Sequence, residues 1–164
     1  MPLRGTKTSA GYDFFATMDI TIKPQEKALF WTNIKAYMQP NEVLILDVRS
    51  SVGIKLDLAL ANTLAIIDGD YVDNPDNEGN IGICLRNLRP EMRLNGFKKI
   101  TCLTAHKEGY IIVDIPIIDD LREVNTITIK SGDRVAQGIF VQFLEADNCN
   151  SEAERTGGIG STSK

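Results

Sequence analysis

Residues 62–71 read Asn-Thr-Leu-Ala-Ile-Ile-Asp-Gly-Asp-Tyr. The apolar residues of this segment predict a strand, and a carboxylate, Asp68, lies at its end. A carboxylate held in this way, Asp68, can act as a general base towards water. The ring of Tyr71 nearby would give a flat surface for a sugar or a base. Taken alone, the segment is more commonly an ordinary Asp-Gly turn. It therefore indicates hydrolytic chemistry without establishing it.

A second segment, residues 47–55, concentrates hydrogen-bond donors. Arg49 contributes a guanidinium, Ser50 and Ser51 contribute hydroxyls, and the backbone leading to Gly53 is predicted to expose free N–H groups. These are the donors that a chain of phosphates requires. The alternative is that Ser50 or Ser51 caps the start of a helix. The segment alone does not choose between the two.

Three further segments combine similar residues but are ambiguous in isolation. Residues 9–14 carry Asp13 in what otherwise reads as a turn entering a strand. Residues 130–140 carry Gln137, which could donate an N–H to a phosphate oxygen or could be an ordinary solvated glutamine. Residues 155–162 combine glycines with Arg, Ser and Thr, a composition typical both of a phosphate-clasping loop and of a flexible C-terminus.

The elements that must position these residues have an apolar period of two, which is typical of strands. The alternation is clearest in residues 19–23 and 126–130. Further strands are predicted at residues 27–38, 43–46, 81–85, 111–113 and 139–143. Many short strands separated by turn residues predict an all-β sandwich, jelly roll or barrel. Short helices are predicted just after Ser51 and at residues 118–124.

Two polar stretches interrupt the strand pattern. Residues 73–80 read Asp-Asn-Pro-Asp-Asn-Glu-Gly-Asn between two apolar runs and are predicted to form a hairpin loop. The tail from Glu145 onward is polar and rich in glycine and serine, so we expect a mobile arm unless a ligand or partner holds it. The predicted organisation is a single domain over residues 1–144 followed by an arm over residues 145–164.

Composition excludes several classes of protein. A chain of 164 residues with 43% apolar content is long enough for one domain with a core. The net charge of −4 argues against broad nucleic-acid binding. Three widely spaced cysteines and a single histidine argue against a structural zinc site. No apolar run has the length of a membrane span or the pattern of a secretory signal, so we expect a cytoplasmic protein.

Taken together and in this order, the five segments resemble the five motifs of trimeric dUTPases, through Ala-Gly-Tyr-Asp, Arg-Ser-Ser with Gly, Ile-Asp-x-Asp-Tyr, Gly-Asp-Arg-x-Ala-Gln and Gly-Gly-x-Gly-Ser-Thr. The resemblance covers nearly the whole chain from Ser9 onward, apart from two inserts. It implies a distorted β jelly roll, a homotrimer with C-terminal arm exchange, and Mg²⁺-dependent hydrolysis of dUTP to dUMP and pyrophosphate. The elaborated members from bacteriophages and their Gram-positive hosts are the most similar kind.

The resemblance also implies a role for each matched residue. Asp68 matches the residue that positions and activates the attacking water, Tyr71 the residue that packs on the deoxyribose, and Asn62 the asparagine that hydrogen-bonds uracil. Asp13 matches an acidic residue that acts on the water shell of magnesium, without binding the metal directly. The other matched substrate-binding residues are Arg49, Ser50, Ser51, Gly53, Gln137, Arg155, Gly158, Ile159, Gly160, Ser161 and Thr162.

The sequence departs from the family pattern in several places. Ile159 stands where the last motif usually has an aromatic residue that stacks on uracil. The loop at residues 72–80 is longer than the usual turn. Residues 88–130 form a predicted surface insert with strand-like residues 98–103 and 109–115. The usual first strand is missing before the first motif, which indicates a truncated or alternative start.

Two alternatives compete with a dUTPase. One is dCTP deaminase, which resembles this family in fold but needs a glutamate on the strand after the loop, where this chain has Cys84. A cysteine cannot perform that proton transfer in the same way. The other is a protein whose main role is to bind a regulatory protein through the insert at residues 88–130, since surface elaborations often carry interactions.

Overall fold

The computed structural model describes residues 1–91, 99–106, 109–116, 124–148 and 155–159. The strands are β1 (Leu3–Arg4), β2 (Tyr12–Phe15), β3 (Ile20–Ile22), β4 (Lys27–Trp31), β5 (Glu42–Val48), β6 (Leu58–Leu60), β7 (Ala65–Ile67), β8 (Gly82–Asn87), β9 (Lys99–His106), β10 (Gly109–Pro116), β11 (Ile127–Ile129) and β12 (Arg134–Gln142). The helix α1 (Ser50–Leu56) follows β5, and a 3-10 turn (Gly69–Tyr71) follows β7. The predicted all-β fold is confirmed.

A five-stranded antiparallel sheet, in the order β1-β2-β12-β5-β7, carries most of the candidate site residues. Its central strand, β12, aligns Gln137 with Asp13 of β2 on one side and with Asp47 of β5 on the other. Because neighbouring strands lie only about 5 Å apart, this register fixes polar side chains from three distant parts of the sequence in one row.

The core lies beneath this sheet and is closed by a three-stranded sheet (β4-β8-β6) and a two-stranded sheet (β11-β3). The predicted alternation in residues 19–23 and 126–130 is confirmed, and these two strands pair with each other. Their inward side chains are buried, whereas the intervening threonines are exposed. Fully buried side chains include Ile22, Leu44, Leu46, Leu58, Ile81, Leu85 and Val135.

The helix predicted just after Ser51 is confirmed as α1, but neither serine caps it. The residue at the N-cap position is Arg49, which has extended backbone angles and makes no side-chain capping bond. The helix ends at Asp57, whose φ of 54° is left-handed. Within the described residues, no helix is long and apolar enough to cross a membrane.

Three local predictions differ from the structure. The strand predicted over residues 27–38 ends at Trp31, and residues 1–9, predicted to lack a strand, contain the short β1 paired with β2. Residues 73–80 do not close a hairpin, because β7 lies in the five-stranded sheet and β8 in the three-stranded sheet. Turn-forming residues predict a change of chain direction, but they do not say which strands will pair.

The predicted insert is shorter than residues 88–130. Within it, β9 and β10 form an antiparallel hairpin, which confirms the strand-like segments there. In contrast, β11 belongs to the core, since Ile127 and Ile129 are 4% and 2% exposed. The ends of the outer segment lie close together, because the Asn125 side chain donates to the Pro90 carbonyl at 2.8 Å. The helix predicted at residues 118–124 lies almost entirely outside the described residues.

Candidate active site

The first cluster of site residues forms where β7 ends, and we call it the carboxylate half-site (Asn62, Asp68, Asp70, Tyr71 and Arg155). Pairing with β5 holds β7 extended up to Ile67, and Asp68 then starts the 3-10 turn that carries Asp70 and Tyr71. Tyr71 is 7% exposed, whereas more than half of each carboxylate side chain is exposed. The turn therefore presents two carboxylates to solvent above a buried aromatic ring.

Arg155 clamps both carboxylates. Its Nη2 donates to Asp68 Oδ2 at 2.6 Å and its Nε donates to Asp70 Oδ1 at 2.8 Å. The guanidinium also lies 5.7 Å from the centroid of the Tyr71 ring, within the range of a cation–π contact. The hydrogen bond to Asp70, reinforced by Asp68, raises the pKa of the Arg155 guanidinium above its ordinary value. Arg155 therefore stays charged. Its remaining nitrogen, Nη1, takes part in neither of these two hydrogen bonds.

Two cavities meet at Asp68. A cavity of about 420 Å³ is lined by Asp68, Asn62, Tyr71, Cys84 and Ile159, with other residues. A larger cavity of about 730 Å³ is also lined by Asp68, together with Asp70, Arg155 and several apolar side chains. The smaller cavity brings together Tyr71, Asn62 and Asp68, the residues predicted to hold the sugar, the base and the water.

The second cluster, which we call the cationic half-site, contains Asp13, Arg49, Arg134 and Gln137. Asp13 is 6% exposed, and its Oδ2 lies 2.5 Å from Arg49 Nη1 and 3.3 Å from Arg134 Nη1. Burying a carboxylate is costly unless cations compensate it. Asp13 therefore holds Arg49 in place. Gln137 lines the same cavity, of about 570 Å³, together with Asp13, Asp47 and Arg49.

The start of α1 offers fewer free donors than the sequence predicted. Gly53 donates its N–H to the Arg49 carbonyl at 2.9 Å, as does Val52 at 2.8 Å. The prediction that the Gly53 N–H is free is therefore wrong, because this group donates a hydrogen bond within the first helical turn. Ser50 and Ser51 are both exposed beside Arg49, so their hydroxyls are accessible to a ligand.

Within one chain, the carboxylate half-site and the cationic half-site are separated in space along β5. Leu44 pairs with Ile67, which brings Asp68 alongside Val43. Arg49 lies six positions after Val43 along β5 and just past its end, about 20 Å away at about 3.3 Å per residue. The cavities that line the two half-sites share no lining residue. Asp68 and Arg49 of one chain are therefore too far apart to hold neighbouring phosphates of one nucleotide.

The described part of the arm, residues 155–159, lies on its own chain. Besides the Arg155 clamp, the Gly158 N–H donates to Asp76 Oδ2 at 2.7 Å. Gly157 and Gly158 are buried, whereas Ile159 is 70% exposed at the edge of the smaller cavity. Gly160, Ser161 and Thr162 lie outside the described residues.

Comparison with known proteins identifies the family. Residues 1–104 match the dUTPase family model. A curated deoxyuridine 5'-triphosphate nucleotidohydrolase from Lactococcus lactis is 37% identical over 164 residues, which covers 99% of this chain and 87% of that relative. The chain belongs to the dUTPase family.

Solved dUTPases share the fold. The crystal structure of a dUTPase from Streptococcus mutans aligns with a TM-score of 0.65 and 33% identity, over 90% of this chain and 88% of that one. A mutant dUTPase from phage phi11 of S. aureus, described with a structural Mg(II) ion, aligns with a TM-score of 0.63 and 28% identity, over 93% and 90% of the two chains. The predicted resemblance to phage and Gram-positive dUTPases is confirmed.

Sequence reasoning missed three contributors to this dUTPase site. Asp70 and Arg134 lie within motifs that were recognised, but their roles depend on the partners Arg155 and Asp13, which are distant in sequence. Asp76 lies in a polar loop that reads as a turn, and only the fold brings it to Gly158. The density of Asp and Asn in residues 73–80 was the one available signal, since these side chains commonly bind backbone N–H groups.

Proposed function

We propose that this chain is a dUTP diphosphatase, which hydrolyses dUTP to dUMP and pyrophosphate. The observation that carries the proposal is the exposed carboxylate of Asp68 in a cavity shared with Asn62 and Tyr71, in a chain of the dUTPase family. Such an enzyme limits uracil incorporation into DNA and supplies dUMP for dTMP synthesis. We place it in the cytoplasm of a bacterial or infected host cell, in keeping with its relative from Lactococcus lactis.

In the proposed mechanism, Asp68 accepts a proton from a water molecule as that water attacks the α-phosphorus. The bond from the α-phosphorus to the bridging oxygen breaks, and pyrophosphate leaves with the electron pair. Since Arg155 occupies Oδ2 of Asp68, we assign Oδ1 to the water. Phosphoryl transfer depends mainly on positioning and charge stabilisation, so a single oriented carboxylate supplies the necessary base.

Substrate selectivity is proposed to arise at the smaller cavity. Tyr71 packs against the deoxyribose and leaves no room for a 2′-hydroxyl, while Asn62 and neighbouring backbone groups hydrogen-bond uracil. The exposed position of Ile159 at the rim lets it cover the base without the π-stacking of an aromatic residue. A tight pocket also rejects the 5-methyl group of thymine.

The phosphates are proposed to bind Arg49, Ser50, Ser51 and Gln137, with residues of the arm closing over them. We propose that Mg²⁺ is held by phosphate and water oxygens beside Asp13, which lines the cavity of the cationic half-site. Two arginines already engage Asp13 Oδ2, which favours contact through water over direct ligation. When bound, Mg²⁺ would neutralise charge on the phosphates.

A complete site is proposed to need more than one chain. Because Asp68 and Arg49 of one chain lie about 20 Å apart along β5, the carboxylate half-site must meet the cationic half-site of a neighbour. A closed threefold assembly satisfies this requirement three times over with identical contacts. We therefore propose a homotrimer with exchanged arms, in which the arm of one chain makes on a neighbouring chain the contacts that Arg155 and Gly158 make on their own chain here.

The test is pyrophosphate release from dUTP, dCTP, dTTP and UTP in the presence of Mg²⁺. We expect turnover of dUTP and, for each of the other three, a kcat/KM lower by about a hundredfold or more, since a site built for one pattern of hydrogen bonds leaves polar groups unpaired with another. Comparable release from UTP would contradict the role given to Tyr71. Ammonia released from dCTP would instead support the deaminase.

The alternative function, deamination of dCTP, is disfavoured by the side chain that β8 carries at position 84. Cys84 lines the cavity that contains Asp68, at the position where a deaminase requires a glutamate. The glutamate would shuttle protons to the base, and a thiol cannot perform that acid/base role in the same way.

A second role is proposed for the outer insert, which we now define as residues 92–123. Its hairpin, β9–β10, pairs with no other described strand, so it is available to bind a regulatory protein. This role is compatible with catalysis. Pull-down of the partner from host lysate, with the full chain and with a chain that lacks the insert, tests this binding role. Equal recovery of the partner by both chains would contradict it.

Removing the insert is expected to leave the enzyme active. Since Pro90 and Asn125 are already in hydrogen-bond contact, a short glycine linker can replace residues 92–123 without moving the core. We expect kcat/KM for dUTP to stay within about threefold, as is usual for deletions in surface loops. A matched deletion of residues 88–130 should fail to fold, because it also removes the buried strand β11. An inactive but folded short deletion would show that the insert contributes to the site.

A further inference from the structure

The loop at residues 72–80, which we call the asparagine loop, is held together by its own side chains. Asn74 is 4% exposed, and its Oδ1 accepts the N–H groups of Asp76 at 3.1 Å and Asn77 at 3.2 Å. Its Nδ2 donates to the Tyr71 carbonyl at 2.7 Å and to Asn77 Oδ1 at 2.8 Å. These contacts fix the positions of Asp76 and Asn77 relative to the carboxylate half-site.

The same loop fixes the phenol of Tyr71. Asn77 Nδ2 donates to the Tyr71 hydroxyl at 2.8 Å, and that hydroxyl donates to the Asn80 carbonyl at 3.2 Å. The hydroxyl therefore both accepts and donates, which sets the plane and tilt of the ring. Any group that docks on Asn77 is thereby placed at a defined distance from Tyr71.

The arm docks on this loop through its backbone. Asp76 Oδ2 accepts the Gly158 N–H at 2.7 Å, a short, charge-assisted bond. Gly158 also fits closely against Asn77, since a Cβ added at Gly158 would lie 2.9 Å from Asn77 Nδ2. The next residue, Ile159, is 70% exposed and buries little apolar surface. Two polar contacts of the arm are therefore the Gly158 N–H to Asp76 and the Arg155 guanidinium to Asp68 and Asp70.

We propose that Asp76 is a positioning residue for dUTP hydrolysis, because it holds the C-terminal arm in its closed place through the Gly158 N–H. The inference rests on the proposed function. A pre-closed arm raises the fraction of enzyme that is competent to bind, and the apparent dissociation constant is inversely proportional to that fraction.

The kinetic test compares Asp76→Ala with Asp76→Asn in the full chain. Asp76→Ala removes the acceptor, so we expect KM for dUTP to rise about five- to tenfold, a loss moderated by the exposure of Asp76. We expect kcat to stay within about twofold, because saturating dUTP itself closes the arm. Asp76→Asn keeps an acceptor oxygen and should restore most of the affinity. A fall in kcat at unchanged KM in Asp76→Ala would overturn the proposal.

A second readout does not depend on catalysis. Trypsin cleaves after Arg155, whose side chain is 12% exposed while the arm is docked. Without nucleotide, Asp76→Ala should lose residues 156–164 about five to ten times faster than the parent, as the undocked population rises, and Asp76→Asn should resemble the parent. Equal cleavage of all three would overturn the docking role. A failed substrate assay with faster cleavage in Asp76→Ala would instead contradict only the proposed function.

Gly158→Ala provides a partner for a double-mutant cycle. Its added methyl group would lie 2.9 Å from Asn77 Nδ2, so the arm or the Asn77 side chain must shift, and the contact of Gly158 with Asp76 is expected to weaken. If both residues act through one contact, the double variant should show about the same rise in KM as the larger single effect. If KM of the double variant instead rose by the product of the two single effects, Asp76 would act through another contact, and the proposal would be overturned. The fluorescence of Trp31, the only tryptophan, reports whether each variant is folded.

Discussion

Asp68→Asn is expected to lower kcat for dUTP by about a hundred- to ten-thousandfold, the usual loss on removing a general base. The amide has the same shape and can still accept the hydrogen bond from Arg155, so the arm should stay docked. It cannot accept a proton from water. Pyrophosphate release under single-turnover conditions measures the effect, because it separates the chemical step from product release.

Asp70→Asn is the matched control for this experiment. Asp70 is also bound by Arg155 and is exposed to a similar extent, 58% against 55%, but it does not line the smaller cavity. We expect its kcat to fall less than about tenfold, since one polar contact to the clamp is weakened while the base is intact. If Asp68→Asn turned over dUTP as fast as the parent, or if the two variants were equally impaired, Asp68 would not be the base.

The sequence predicted the strands that alternate and the motifs that lie on them, because both signals are local. Ile20 and Ile22 face the core as expected, and Asp68 follows directly after its strand. The strand predicted over residues 27–38 was too long, since apolar composition continues beyond the last cross-strand pair, Trp31 with Gly82. Composition shows which residues suit a strand, and pairing partners decide where the strand ends.

The parts of the site that could not be predicted depend on long-range contacts. Asp13 and Arg49 are 36 positions apart in the sequence, and Arg155 is more than 80 from Asp68. Nothing in either local sequence specifies these pairs. The prediction that the insert extends to residue 130 is wrong for the same reason. Ile127 and Ile129 alternate with polar residues as in any edge strand, and only the pairing with β3 shows that they belong to the core.

The separation of the half-sites within one chain leads to the second large prediction. Asp68→Asn lacks the base but has an intact cationic half-site, whereas Arg49→Gln retains the base and loses a phosphate contact. Each variant alone is expected to be nearly inactive. Asp13 keeps Arg134 as a partner in Arg49→Gln, so the fold should survive. Ser50→Asp is an alternative that repels phosphate from an exposed position without touching Asp13.

Co-expression of the two inactive variants should restore activity if sites are shared between chains. In a randomly mixed threefold assembly, a site that takes Asp68 from one chain and Arg49 from a neighbour is intact with a probability of about one quarter. Trimers of a single variant contain no such site, whereas every mixed trimer contains one in three, so mixed trimers isolated through two different affinity tags should recover about a third of the parent activity. A site contained within one chain would give no recovery, because every chain would then carry one of the two defects. This outcome would contradict the distance argument from the β5–β7 register, while leaving the role of Asp68 itself untouched.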